Sequence, residues 1–253
     1  MNEEQVLKSR LKDLAERAYR QNIYTYSSFL NAGELFWLDE LRAELSYVGY
    51  KTYGGSETSE RQMVCFGNPE TFGYEPEWPI AIIRIEPLIE KFSDELTHRD
   101  FLGAVMNLGI DRSVVGDILV KDNKRCYIFC QDTIAAFIMD GITRIKHTSV
   151  KCSTVEPDEV GELAPELEDA DCIVASNRFD AIIAALAKCS RSEALALFKA
   201  GKVTLNGRIC EKHNMSLAGG DIFSVRGSGK FKYEGEGSVT RKGRVYMHIK
   251  RYC

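Results

Sequence analysis

Residues 80–152 read IAIIRIEPLIEKFSDELTHRDFLGAVMNLGIDRSVVGDILVKDNKRCYIFCQDTIAAFIMDGITRIKHTSVKC, and the alternation within this stretch decides the fold. IAIIRI (80–85) is an apolar run of strand length, as expected for a buried strand. His98–Leu108 has helical spacing and stops at Gly109. GDILV (116–120) and CYIFC (126–130) read as strands, with the turn signal Asp122-Asn123 between them. Asp132–Met139 predicts a short helix before Gly141, and Ile145–Cys152 a final strand. The predicted order is β-α-β-β-α-β.

That order is the ferredoxin-like split motif, so residues 76–152 are expected to form a ferredoxin/RRM-like central domain. Residues 1–75 are expected to form a mainly helical N-terminal domain. Leu7, Leu11, Leu14 and Ala18 recur at helical spacing, and a second helix is predicted from the N-cap Asn31 to about Val48, with Gly49 as its stop. Residues 153–173 crowd eight acidic side chains together with Pro157 and Pro165. The plain reading is a solvated acidic linker; the sharper one is a segment that shields a basic domain until RNA displaces it. Residues 174–253 open with two short helices, one burying Phe179, Ile182, Ile183 and Leu186, the next Ala194, Leu195, Leu197 and Phe198. Strands follow at Lys202–Leu205, Asp221–Val225 and Arg244–Lys250, with Asn206-Gly207 as a hairpin turn. The expected class is α+β in three domains.

The chain has 253 residues, with 33 Lys+Arg and 37 Asp+Glu, a net of −4. The total hides a split. Residues 176–253 hold 15 Lys+Arg against 6 Asp+Glu, a net of +9, which leaves 18 against 31, a net of −13, in residues 1–175. Such asymmetry points to a basic working end on an acidic carrier. No apolar run approaches the ~20 residues of a membrane span, and the charged N-terminus lacks a signal-peptide core. A cytoplasmic protein with no membrane partner is expected, its eight scattered cysteines packed as reduced thiols.

Catalytic motifs are missing from the sequence. There is no P-loop, no GxGxxG and no GxSxG elbow. His98-Arg99-Asp100 matches a kinase triplet by chance, without the required asparagine spacing. Four histidines (98, 147, 213, 248) and the lone Cys210-x-x-His213 pair give no zinc pattern. No catalytic residue, metal or cofactor is expected.

The basic end is more informative. The turn between its two helices gathers Lys188, Ser190, Arg191 and Ser192, and Lys199 and Lys202 flank Gly201 at the next corner. Helix N-termini with nearby arginines form phosphate sites; the alternative is a solvated basic face. The ordered elements Arg178-Phe-Asp180, Ser190-Arg191-Ser192-Glu-Ala194, Ala200-Gly201-Lys202-Val203-Thr204-Leu205-Asn206-Gly207 and Gly220-Asp221-Ile222 resemble the S4 RNA-binding domain pattern RLD, SRxxA, GxVxVNG and GDxI. Phe replaces Leu at 179 and Leu replaces Val at 205. The resemblance implies an αL-type module that docks structured RNA, with Arg178 and Arg191 as its RNA-facing arginines. Position and charge add Lys188, Lys199 and Lys202, and the motif adds Ser190, Ser192 and Asn206.

A second resemblance spans the chain from about residue 5 to its end. Gly54-Gly55 followed by Glu60-Arg61, then His98–Ala104, Asn107–Ile110, Arg112 and Gly116-Asp-Ile-Leu119, are similar to the YlmH family. That resemblance implies an N-terminal domain, an RRM-like central domain and a C-terminal S4 domain. It further implies docking on the large ribosomal subunit, contact with rRNA and peptidyl-tRNA, and a role in ribosome-associated quality control of stalled translation, with a vaguer link to cell division. Secondary RNA contacts are expected at Arg99 and at a solvent-facing Arg112, the alternative for both being a surface ion pair. Tyr127 and Phe129 alternate on a central strand, placed either to stack bases or to fill a core. A monomer is expected. The competing readings are an RNA-modifying enzyme targeted by its S4 domain, disfavoured by the missing motifs, and a protein adaptor using the acidic region.

Overall fold

Asn2 begins the first helix by accepting a hydrogen bond from the Gln5 amide on its side chain, and the Gln5 side-chain oxygen accepts one from the Asn2 amide. This reciprocal cap opens α1 (Glu3–Gln21), which buries Leu11, Ala15 and Ala18 on one face. The computed structural model describes residues 2–157 and 167–252. The chain divides into two units, residues 1–164 and 165–253.

In the first unit α1 is followed by β1 (Thr25–Tyr26), α2 (Ala32–Glu40), β2 (Tyr50–Tyr53), β3 (Met63–Phe66) and α3 (Pro69–Phe72). The N-terminal segment thus carries a three-stranded antiparallel sheet, in the order β1-β3-β2, beside its helices. Asn31 caps α2 as expected, accepting from the Gly33 and Glu34 amides. The helix ends at Glu40 rather than near Val48. Leu41, Leu45 and Val48 are buried at helical spacing, but several of the bonds there span only three residues, such as Leu41 N to Leu38 O and Val48 N to Leu45 O. The apolar period is therefore met by successive turns.

The same unit continues with β4 (Ile80–Pro87), α4 (His98–Met106), β5 (Val115–Lys121), β6 (Arg125–Gln131), α5 (Asp132–Gly141), β7 (Arg144–Ile145) and β8 (Thr148–Val155). The sheet order is β5-β6-β4-β8-β7, all antiparallel. Without β7, this is the strand arrangement of the predicted split motif. The expected last strand is broken into a β7–β8 hairpin, with Lys146 in the left-handed region at φ +50. Ile83, Ile85, Cys126 and Ile128 pack beneath α4 and α5 with Phe101, Val105 and Ile138. Burial of each such side chain is worth about 1.5–3 kcal/mol.

The second unit contains β9 (Leu167–Asp169), β10 (Cys172–Val174), α6 (Phe179–Leu186), α7 (Arg191–Lys199), β11 (Val203–Leu205), β12 (Arg208–Ile209), β13 (Ile222–Val225), β14 (Gly229–Val239) and β15 (Val245–Tyr252). The sheet runs β10-β15-β14-β13-β11-β12, with β9 also on β15. Phe179 anchors the helices, its ring edge-on to Phe198 at 5.1 Å and to Phe223 at 5.3 Å. The expected acidic linker is partly strand: β8 takes its first residues, β9 and β10 its last, and 158–166 lie outside the described residues.

Candidate nucleic-acid interface

The start of α6 and the start of α7 meet around one carboxylate. Asp180 lies in the first turn of α6 and is only 1% exposed. Arg178, at the N-cap position, donates from Nε to Oδ1 and from Nη2 to Oδ2, both at 3.1 Å. Arg191, the first residue of α7, donates from Nε to Oδ2 at 3.1 Å and from Nη2 to Oδ1 at 3.2 Å. Two guanidinium forks thus grip one buried carboxylate. Burial alone would raise the Asp180 carboxyl; hydrogen bonds from Arg178 and Arg191 outweigh it and hold the group at about 2.

The two arginine side chains remain 42% and 55% exposed. A guanidinium has five N–H donors, and each fork spends its Nε–H and an Nη2–H on Asp180. The remaining edge is fixed in direction and open to an incoming phosphate. The loop after β12 braces this corner from below. His213 and Met215 accept the amides of Asp180 and Phe179 at 2.9 Å, and Asn177 exchanges two hydrogen bonds with Leu217. The His213 Nδ1 lies 3.8 Å from Asp180 Oδ2 and is enclosed without a hydrogen bond. Asp180 and His213 were not among the expected binding residues, although the Arg-x-Asp spacing already placed a carboxylate beside Arg178.

The other expected residues divide. Lys188 is exposed and held at φ +52, just past the end of α6. Ser190 is the N-cap of α7, locked by a capping box with Glu193, and its hydroxyl lies 3.0 Å from that of Ser192. Ser190 is thus committed to the helix start. Lys199 and Lys202 are exposed at the far end of α7, about 13 Å from its start by helical rise. Asn206 is committed to the fold: its amide donates to Asp221 at 2.9 Å and accepts from the Ile222 N–H at 2.9 Å, which pins the turn at φ +47.

In the first unit, Arg99 is exposed on the first turn of α4. Arg112 departs from expectation. Its guanidinium turns inward to the carbonyls of Val115 and Gly116. Burial, then the neighbouring Arg61 charge, pull it down to about 10. Arg61 donates to the carbonyls of Val115 and Phe29 at 3.0 Å and of Arg112 at 3.3 Å. Asp117 accepts the amides of Glu60 and Arg61 at 2.7 and 3.1 Å. Gly54 and Gly55 fit here because nothing larger would: a Cβ at Gly54 would lie 2.2 Å from the Arg61 carbonyl, and one at Gly55, at φ +102, 2.3 Å from the Phe129 ring. Phe129 is fully buried, so it is core and not a stacking platform. Among the described residues, no group of three or more His, Cys, Asp or Glu is placed to hold a metal ion, and no helix is long and apolar enough to cross a membrane.

Residues 74–159 match the protein family described as "Putative RNA-binding domain in YlmH". Over 240 residues, 95% of this chain and 91% of its relative, the sequence is 26% identical to the "Ribosome-associated protein quality control protein P2" of Bacillus subtilis (strain 168). The fold matches the "Cell division protein ylmH from Streptococcus pneumoniae" with a TM-score of 0.50 at 23% identity, covering 63% of this chain and 94% of that one. The chain is similar to YlmH proteins, most specifically over residues 74–159. The family-matched span runs from before β4 to just past β8, and so includes Arg112 and Asp117. Of the motif residues that carry the YlmH resemblance, Gly54-Gly55, Arg61, Arg112 and Gly116-Asp117 belong to the network that joins the N-terminal segment to the central sheet.

Proposed function

We propose that this chain is a non-catalytic RNA-binding factor of the cytoplasm that acts as a monomer on the large ribosomal subunit, contacting rRNA and peptidyl-tRNA, in quality control of stalled translation. The observation that carries the reading is the Arg178–Asp180–Arg191 clamp, which aims two guanidinium edges outward from the corner of a basic unit. Lys188, Lys199 and Lys202 extend its charge along the same helix pair. The name of the Bacillus subtilis relative supports the ribosomal setting.

The test is sedimentation of cell lysate through sucrose gradients at low and high salt, with detection of this protein. Co-migration with the large subunit that salt removes is the expected result, because displaced counterions supply much of the affinity. Arg191→Ala moves the protein toward the top of the gradient. Confinement to the top fractions at both salt concentrations overturns the reading.

A further inference from the structure

The sheet of β4 to β8 has a second face, and the described residues cover only half of it. Strand pairing sets Leu119, Tyr127, Arg84 and Ser153 in one cross-strand row. The next row holds Lys121, Arg125, Glu86 and Lys151. Both lie opposite α4 and α5, since the alternate residues Ile83, Ile85, Cys126 and Ile128 form the core beneath those helices. On the other side of the Tyr127 row, Phe129, Ile82 and Val155 are buried as a separate small cluster, and the Gly54-Gly55 turn closes over Phe129. Leu119 and Tyr127 pack against the edge of that cluster, and the cover fades beyond them. Tyr127 is half-buried, and the side chains of Arg84 and Lys151 are 35% and 59% exposed.

The open half is cationic within a region of opposite sign. It presents Arg84, Lys121, Arg125 and Lys151 against Glu86 and, at the β5–β6 turn, Asp122, which holds Arg125 at 2.6 Å, while residues 1–175 sum to −13. Glu86 holds Lys151 at 2.9 Å and lies 3.7 Å from Arg84 Nε. That Nε is enclosed and makes no hydrogen bond. A tyrosine ring therefore sits across the strand from a guanidinium with an unmet donor, framed by three further cations. Beyond the cationic row, the loop after β4 raises Phe92, which is 76% exposed, with Lys91 Nζ 5.7 Å from its ring centroid. Lys124 of the β5–β6 turn reaches the Glu90 carbonyl in that loop at 3.5 Å.

We propose that the uncovered half of this sheet is a binding site for single-stranded RNA, in which Tyr127 stacks one unpaired base, Arg84 meets that nucleotide, and Lys121, Arg125 and Lys151 track the phosphates. A half-open sheet row offers one flat ring to a base that is free to splay out, whereas a duplex keeps its base faces stacked on one another. The row is also too charged for the centre of a protein–protein interface, where lysine and glutamate are depleted. The inference rests on the RNA-binding reading above, but assigns a contact outside the second unit.

The experiment measures binding of the full-length chain to a fluorescein-labelled ten-nucleotide single-stranded RNA and to a labelled RNA hairpin, by fluorescence anisotropy. Tyr127→Ala is expected to weaken single-strand binding at least about fivefold, the lower range of one lost stacking contact, and to leave hairpin binding unchanged. Tyr127→Phe keeps the ring and the affinity; Arg84→Gln weakens single-strand binding. Tryptophan-monitored melting confirms that each of these first-unit variants is folded, and hydrogen exchange does the same for Arg191→Ala. Arg191→Ala separates the two readings. If it weakens hairpin binding while folded Tyr127→Ala and Arg84→Gln leave single-strand binding unchanged, the sheet site is overturned and the helix-corner reading stands. If Tyr127→Ala weakens single-strand binding and Arg191→Ala has no effect on either RNA, the sheet site stands and the corner reading falls. An unmutated chain that binds no single strand also overturns the proposal.

Discussion

Two clusters in this chain use the same parts, two arginines and one aspartate, and are wired in opposite senses. Between the N-terminal segment and the central sheet, Arg61 and Arg112 turn inward and give their donors to backbone carbonyls, while Asp117 receives backbone amides. At the α6–α7 corner the aspartate is the buried member, and Arg178 and Arg191 stand at the surface around it. The first arrangement consumes its cations to close a fold. The second buries one anion to aim two cations at solvent. Residue type alone therefore does not separate an arginine spent inside the fold from one held at the surface; the location of its partner does.

The largest effect is expected from removing both corner arginines. Arg178→Ala with Arg191→Ala strands a buried carboxylate, and should lower the stability of the second unit by about 3–5 kcal/mol. Hydrogen exchange read by mass spectrometry measures it, and adding Asp180→Asn should restore much of the loss. If the double variant keeps full protection, Asp180 is not the centre of the corner. In the first unit, Arg61→Ala should cost about 2–4 kcal/mol by orphaning backbone carbonyls, while RNA affinity stays unchanged. Arg61→Lys should not rescue it, because an ammonium cannot fork across three carbonyls. Both tryptophans, Trp37 and Trp78, lie in the first unit, so their fluorescence follows that unit alone.

Acid should sharpen the contrast by about 2 kcal/mol. The Asp180 carboxyl is held below its ordinary 3.8, at about 2, so its contribution is complete above pH ~4 and is lost as pH falls from there through 2. Exchange protection of the second unit should fall across that window and change less in Asp180→Asn. Asp100 in the first unit, where hydrogen bonds from Lys146 and Thr97 outweigh burial to hold it also at about 2, loses its stabilisation in the same range, so the comparison of variants at matched pH isolates the corner. The smallest effect is Arg178→Ala or Arg191→Ala alone. Each should weaken RNA binding about three- to tenfold and reduce the salt slope by about one, with the remaining fork still compensating Asp180. Equal affinity across a salt series for both folded variants would remove the corner from the binding surface.

Much of this architecture is visible in residue order. The caps at Asn31 and Ser190, the stops at Gly109 and Gly201 and the two-residue alternation of the central strands act through local chemistry, and the structure repeats them; Gly49 instead closes a run of turns, and Gly141 is the last residue of α5. The rest depends on partners distant in sequence. Arg112 looks like a surface cation until Arg61, 51 residues earlier, docks on its carbonyl and its own guanidinium turns in to Val115 and Gly116. Asn206 looks like a polar turn residue facing solvent, yet Asp221 and Ile222 occupy both ends of its amide. Strand β9, three residues of Leu-Glu-Asp, has no apolar alternation to reveal it; it is strand because β15 supplies a free edge. Asp180 was legible in identity and spacing but not in role, since a carboxylate beside one arginine does not announce a second arriving from eleven residues on.

That short acidic strand has a consequence for how the basic unit behaves in solution. β15 bonds to β14 on one side, and on the other its edge is taken first by Cys172–Val174 and then by Leu167–Asp169. Asp169 meets Lys250 at 2.5 Å and Asp171 meets His248 at 3.1 Å along the same border. A fragment begun at residue 174 loses all but one residue of that cover and bares the backbone of β15, a template for strand addition between copies. A fragment begun at 167 keeps the border closed. The acidic stretch is in this sense the selvedge of the sheet, a finished margin that keeps a cationic fabric from being sewn to its neighbour.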